Sequence, residues 1–338
     1  MICFSSMDIR KVAAKAKVST ATVSRTINHS EAVAPATAAK VWAAIRDLNY
    51  HPNTHARSLS SGKSHILGLI ISDITNPFFP DLVKAFETVA IERHYEVIVT
   101  NTEYSPERTK LCVSRLLNRK VEGIAIMTSE MEPSLIEQVQ RAGVPIVTLD
   151  TGTPGRKFSN IKVDYAGGVR QAIQHLVGLH HERIAFIRGP QRLKSAQIRY
   201  DAYLKVAKQH NLTTSSSLVA DGEHSIEGGF TAMLNLLPQK PTAVLASNDL
   251  CAIGALHALQ QKSLDVPGAI SIIGFDDINF SRHTRPELTT VRIPRTEISR
   301  LAFEALSSTS DSDNGREWTI PTELVIRSST GPCQRSRS

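Results

Sequence analysis

Cysteine is scarce: Cys3, Cys112, Cys251 and Cys333 are the only four in 338 residues, and no two stand at CxxC spacing. Such scatter argues against a zinc site and against a disulfide framework, and it suits a reducing cytoplasm. The twelve histidines contain no HExxH. His180 and His181 are adjacent, so on a helix they would point about 100° apart, and they read as loop residues. Long apolar runs are missing as well, none reaching the ~18 residues that a membrane span needs. Met1 to Met7 has neither a basic n-region nor a long apolar h-region, so no secretory signal is expected. Helical patterning begins only at Asp8, which makes Met7 a candidate initiator. Three catalytic signatures are absent: GxGxxG after a strand, GxxxxGK[ST] and GxSxG. Dinucleotide, P-loop and hydrolase chemistry therefore have no site. Asp276 and Asp277 beside His283 form too common a grouping to carry acid–base catalysis. The expectation is a protein that is not an enzyme and holds neither metal nor cofactor.

What is present belongs to a soluble globular chain, with 41% apolar and 21% charged residues. Its length suggests two or three domains. The net charge of +7 is unevenly placed: residues 1–63 hold nine Lys and Arg against three acids, a net +6. The 275 residues that follow carry 30 basic and 29 acidic groups. A compact basic module on a nearly neutral body is the electrostatic footprint of a phosphate-binding partner.

Within that module the stretch Val18 to Asn28 stands out. Ser19 is a good N-cap, its hydroxyl able to accept from an orphaned amide of the first turn. Val23 and Ile27, four apart, form a short apolar stripe, and Thr20, Ala21, Thr22, Ser24, Arg25 and Asn28 occupy the rest of the surface. So short and polar a helix is a poor core element. Its small side chains and single arginine instead let the axis approach something flat and polar. Upstream, Asp8 to Lys15 is amphipathic, with Ile9, Val12, Ala13 and Ala16 inward and Lys17-Val18 as a turn. Helix, tight turn and second polar helix make a helix-turn-helix, whose second helix enters the DNA major groove. A third helix is expected from Pro35 to Leu48, with Val41, Ile45 and Leu48 inward and Trp42 beside them. Pro52 and Gly62 then bracket about two turns of potential helix containing Ala56 and Leu59. Alone it is too short to hold a helix in water. A leucine beside an arginine there is a candidate minor-groove wedge.

From Ile66 the pattern changes to buried strands alternating with amphipathic helices. Apolar runs lie at 66–71, 97–99, 123–127, 145–149, 184–187, 243–246 and 270–275, and helical stretches at about 79–94, 106–119, 133–142, 166–179, 196–210, 227–237 and 249–262. Such alternation predicts parallel sheets covered by helices on both faces, and about 270 residues of it suggest two lobes with a cleft between them. Ligands of open α/β sheets bind beyond the carboxyl ends of strands. Polar and aromatic residues at those ends include Asp73, Asn76, Phe78, Phe79, Asp150, Asp164, Asn248, Asp249, Asp276 and Asp277, with Arg199 in the helix after 184–188. Singly, Asp and Asn at such junctions are often helix caps. Collectively they offer paired acceptors, donors and flat apolar faces, the chemistry that holds a polyhydroxylated small molecule.

These residues resemble the lactose/galactose-repressor (LacI/GalR) family of bacterial transcription regulators over nearly the whole chain, Met7 to about Gly331. The specific marks are Val-Ser-x-Ala-Thr-Val-Ser-Arg at 18–25, Tyr50-x-Pro52-Asn53 with Ala56-Arg57-Ser58-Leu59, Asn76-Pro77-Phe78-Phe79, Asn248-Asp249, Gly274-Phe275-Asp276-Asp277 and Leu288-Thr289-Thr290-Val291. The resemblance implies a homodimer on a palindromic operator in double-stranded DNA, with no membrane attachment. Thr20, Ala21 and Arg25 match base-contacting positions, and the DNA-facing set is Ser19, Thr20, Ala21, Thr22, Ser24, Arg25, Asn28, Asn53, Ala56 and Leu59. Effector positions map onto Asn76, Phe78, Phe79, Asp150, Asp164, Arg199, Asn248 and Asp276. The implied domains are a headpiece at 7–50, a hinge at 51–63, an N-terminal lobe at 64–164 and 294–318, and a C-terminal lobe at 165–293 and 319–331, each lobe like a periplasmic binding protein's. Asn-Pro-Phe-Phe and Asn101-Thr102-Glu103 look most like the ribose-repressor type. Thr151, where an arginine is usual, and Ile293, where a glutamine is usual, depart from it and leave another pentose, a hexose or a polyol equally open. A purine or sugar-phosphate effector, or a transport protein, is the alternative. Gly331 to Ser338 holds no leucine heptad, so a dimer is expected rather than a tetramer.

Overall fold

The computed structural model describes residues 9–28, 32–50, 64–128, 133–307 and 314–334. It divides into two compact units, Met1–His65 and Ile66–Ser338. The proposed hinge, with Asn53, Ala56 and Leu59, lies outside the described residues.

The first unit contains α1 (Ile9–Ala16), α2 (Thr20–Asn28) and α3 (Pro35–Asp47). Lys17, at φ +56°, makes the turn between α1 and α2. Ser19 caps α2 as its position predicts, its Oγ accepting from the Thr22 amide at 3.1 Å. Pro35 starts α3, where its fixed φ suits a helix and its missing N–H costs no helical bond. One small core collects Val12, Ala13, Ala16, Val23, Val41, Ala44 and Ile45. Trp42 stays outside it, 37% exposed, because at the position after Val41 it points off the inward stripe, while Ala38 and Ala44 fill in instead.

The second unit holds two six-stranded sheets. One is ordered β11-β5-β4-β3-β1-β2, comprising β1 (Ile66–Ile71), β2 (Glu96–Asn101), β3 (Gly123–Met127), β4 (Ile146–Leu149), β5 (Phe158–Val163) and β11 (Glu317–Ile320). Every pairing in it is parallel. The helices are α4 (Phe78–Glu92), α5 (Pro106–Asn118), α6 (Pro133–Arg141) and, from late in the chain, α11 (Arg295–Ser307). The other sheet is ordered β12-β10-β9-β8-β6-β7, from β6 (Ile184–Arg188), β7 (Val219–Asp221), β8 (Ala243–Ala246), β9 (Ser271–Asp276), β10 (Thr289–Arg292) and β12 (Glu323–Val325). Here only β12 runs antiparallel to its neighbour. Helices α7 (Tyr165–Gly178), α8 (Lys194–Gln209), α9 (Ile226–Leu236) and α10 (Asp249–Gln261) cover it. The central strands β1, β3, β4, β8 and β9 are almost wholly buried, as strands covered on both faces must be.

The chain crosses between lobes three times: after β5, after β10 and after β11. The last crossing corrects the expected boundary between 318 and 319. β11 continues to Ile320, since Thr319 and Ile320 still pair with Lys162 and Val163, and the other sheet is regained only at Glu323. Among the described residues no helix is long and apolar enough to cross a membrane.

Candidate functional site

The outer surface of α2 is built from short side chains. Thr20, Ala21 and Arg25 are exposed and Thr22 and Ser24 half-buried, while Val23 and Thr26 face inward at 0% exposure. Thr26 is tolerated inside because its hydroxyl donates to the Thr22 carbonyl at 2.9 Å. Ser19 is spent on capping and also meets the Thr22 hydroxyl at 2.9 Å. Asn28 is the last helical residue. The open face therefore offers one long basic side chain above a low platform of methyls and hydroxyls, a shape that fits a groove carrying negative charge.

In the body, Asn76, Phe78, Phe79, Asp150, Arg199 and Asp276 converge on one cavity of about 70 Å³ between the lobes. Each arrives for a local reason. Phe78 and Phe79 open α4, packed edge-to-face with centroids 5.3 Å apart, and Asn76, just ahead of the N-cap Pro77, accepts from the Phe78 amide at 3.1 Å through its side-chain oxygen. Asp150 follows β4 at φ +58°, a left-handed conformation that Asp adopts more readily than most residues. Its carboxylate accepts from the Val163 amide at 2.9 Å and the Tyr165 hydroxyl at 2.7 Å. Burial pushes its pKa up, against those two hydrogen bonds and the nearby Arg199.

Arg199 is clamped. Its guanidinium carbon lies 4.6 Å from the Tyr165 ring centre and 4.3 Å from that of Phe275, a cation held between two aromatic faces. One arm donates to the Ser247 carbonyl and another faces Asp276 Oδ1 at 3.5 Å. Its buried Nε has no hydrogen-bond partner, so the clamp leaves one strong donor unsatisfied. Asp276 ends β9 at φ +112°. Burial raises its pKa to about 6, with Arg199 and Arg295 pulling the other way.

Arg295 ties this wall across the cleft. It starts α11 on the first lobe, donates to the carbonyls of Asp276 and Asp277 at 2.6 and 2.8 Å, and lies 3.6 Å from the Asp81 carboxylate. Lys194 of the second lobe donates to the Asp150 carbonyl at 3.2 Å, and the Arg192 guanidinium sits 5.8 Å from the Tyr104 ring centre.

Two expected positions serve elsewhere. Asp164 caps α7, accepting from the Gly167 amide at 2.8 Å, and Asn248 caps α10, accepting from the Cys251 amide at 3.0 Å. Neither side chain lines the cavity. Conversely, sequence reasoning passed over Tyr165, which holds Asp150 and covers Arg199, and His224, whose Nε2 meets Ser247 Oγ at 2.9 Å. Burial and the nearby cations Arg199 and Arg192 lower the His224 pKa to about 3, so its ring is neutral. Tyr165 was signalled only by its place beside Asp164. His224 was hidden because β7 before it is three residues long and holds only two apolar residues. Among the described residues no group of three His, Cys, Asp or Glu could hold a metal ion.

Comparison with known proteins agrees with both parts. The model of bacterial regulatory proteins of the lacI family matches residues 8–53, and that of the periplasmic binding protein-like domain matches 173–330. The ribose operon repressor of Escherichia coli K12 is 36% identical over 301 residues, spanning 88% of this chain and 91% of that protein. The chain belongs to the LacI family. The transcriptional repressor PurR of Edwardsiella ictaluri is 33% identical over 327 residues, 95% of this chain and 96% of that protein. A crystal structure of the lac repressor dimer bound to operator and the anti-inducer ONPF superposes with a TM-score of 0.85 at 28% identity, covering 96% of this chain and 99% of that one. This LacI-family protein is a DNA-binding transcription regulator, and its fold is the family's helical headpiece on a two-lobed body.

Proposed function

We propose that this regulator represses a sugar-utilisation operon, binding a palindromic operator as a homodimer and answering to a neutral sugar held between its lobes. The observation that carries this is the convergence of Asp150, Asp276 and a ring-clamped Arg199 in one cavity walled by Phe78, Phe79 and Tyr165. Carboxylates accept from vicinal hydroxyls, a guanidinium donates to them, and aromatic faces cover the C–H side of a sugar ring. Two acids against one guanidinium disfavour a phosphate or a carboxylate, so the effector is uncharged. Ile293 also lines the cavity and gives one apolar stretch where a ribose-type site is expected to hydrogen-bond. The relative named a ribose operon repressor and the operator-bound dimer support the same class of function.

On the DNA side, Arg25 reads a guanine edge, Thr20 and Ala21 meet methyl groups or tolerate several bases, and the hinge residues Asn53, Ala56 and Leu59 contact the operator centre. Strand β2 forms an open sheet edge with Val99 exposed, and Ile91 and Leu111 on the neighbouring helices are exposed too. Such an edge favours pairing with a second copy. The protein acts on DNA in the cytoplasm and has no catalytic role.

A thermal-shift screen of the full chain against pentoses, hexoses, polyols, sugar phosphates and purines tests the effector class. A ligand present at 100 times its dissociation constant adds about 2.7 kcal/mol. Stabilisation by free sugars is expected. Stabilisation by purines or phosphates alone, or by nothing, would overturn the sugar reading.

A further inference from the structure

A second cavity, of about 590 Å³, adjoins the first and is far larger. The two share Asn76, Tyr104, Leu193 and His224 as walls, so a ligand seated against Asp276 and Arg199 has an outlet past the neutral His224 ring. The outer space is of the size that accommodates drug-sized ligands. Its character differs from that of the inner site. Apolar faces come from Pro77, Ile226, Leu250, Ile253 and Phe280, and two of these are conspicuously uncovered, with Phe280 59% and Ile226 38% exposed. Around them stand hydrogen-bonding groups, including Asp73, Glu223, His283 and Thr284. Glu223 already lies 3.9 Å from Arg192, so the rim has no surplus of positive charge to attract an anion.

Resting on the sugar reading above, we infer that the effector is not a free monosaccharide but a glycoside or disaccharide. Its first ring fills the polar inner cavity, and its second unit occupies the outer one. A second sugar ring fits this surface because its C–H face packs on Phe280 while its hydroxyl edge meets acceptors at the rim. A monosaccharide would leave the outer apolar faces wet. Covering them on binding is worth a favourable hydrophobic contribution that only a two-part ligand collects. The neutral His224 suits a junction between two uncharged units, since its ring N–H can donate to a glycosidic oxygen without bringing charge.

Isothermal titration of the full-length protein against ribose, arabinose, xylose, glucose and galactose, each as the free sugar and as its methyl and phenyl glycosides, tests this directly. For the sugar that binds, the phenyl glycoside should bind at least tenfold more tightly than the free sugar. F280A, at an exposed position, should shrink that gap to threefold or less while leaving the free sugar's affinity unchanged. I226W, which crowds the outer cavity, should weaken the glycoside selectively. Equal affinities for free sugar and glycoside in the wild type, or a gap indifferent to both substitutions, would overturn the inference and leave the sugar-responsive regulator standing. Failure of all these sugars and glycosides to bind would remove both.

Discussion

Asp276 and Asp277 are neighbours in sequence and opposites in use. Asp277 has turned inward, its carboxylate bonded by Arg292 at 2.8 Å and by Arg327. Burial pushes its pKa up, but these guanidinium bonds hold it below the usual range. Asp276 faces the cavity, and its pKa of about 6 puts its charge within reach of mild acid. The ionised form is the stronger acceptor and offers both oxygens to hydroxyl donors, so sugar affinity should fall as pH drops through about 6. From pH 7.5 to 5 a loss of roughly tenfold is expected, one pKa unit corresponding to about 1.4 kcal/mol. Titration calorimetry across that range checks it, and D276N should bind weakly with no pH dependence; a flat wild-type profile would remove Asp276 from the ligand. Unfolding does not mimic the effect. A raised folded pKa contributes stability below the unfolded value of about 3.9 and loses it as pH rises through about 6, so at this residue acid favours the fold. By residue type the pair read only as acids after a strand, and it was the family resemblance that singled out Asp276; what turns Asp277 away from the cavity is Arg292 and Arg327, the latter fifty residues away.

At the scale of elements, legibility followed length and periodicity. The buried central strands and the helices up to α10 stood out because each repeats an apolar pattern over enough residues, whereas α11 (Arg295–Ser307) was not among the expected stretches. The short edge strands β7, β11 and β12 did not, since three or four half-exposed residues carry no period of their own and owe their state to the sheet they complete. Losing β7 meant losing His224, and misjudging β11 moved the last lobe crossing by two residues. Caps were ambiguous for a different reason: Asp164, Asn248 and Asn76 all bond to helix amides, and only the tertiary fold decides that Asn76 also borders the cavity. Helix α2 was the clearest element of all. It carries a prediction about specificity: Arg25→Ala should reduce the preference for the operator over random DNA by ten- to a hundredfold, the ~1–3 kcal/mol of one bidentate base contact. Non-specific binding should weaken only slightly. Competition binding with both DNAs measures it, and an equal loss on each would reduce Arg25 to a phosphate contact.

The whole molecule separates two chemistries. Nearly all its net charge lies in residues 1–63, so DNA affinity should fall steeply with salt, whereas an uncharged effector should bind almost independently of it. Regulation links the two, and by reciprocity the sugar must change DNA affinity as much as operator DNA changes sugar affinity. The contacts that span the cleft, Lys194 to Asp150 and Arg295 to Asp276 and Asp277, join both lobes at the walls of the inner cavity. The most direct measurement is the affinity of the full-length protein for a palindromic fragment selected from genomic DNA, with and without the sugar or glycoside that stabilises it. The same titration on R199A completes it. Tight binding that the ligand weakens at least fivefold, with R199A gripping DNA normally but deaf to the ligand, is the result expected. Operator affinity unmoved by a ligand that saturates the cleft would contradict the account at its centre.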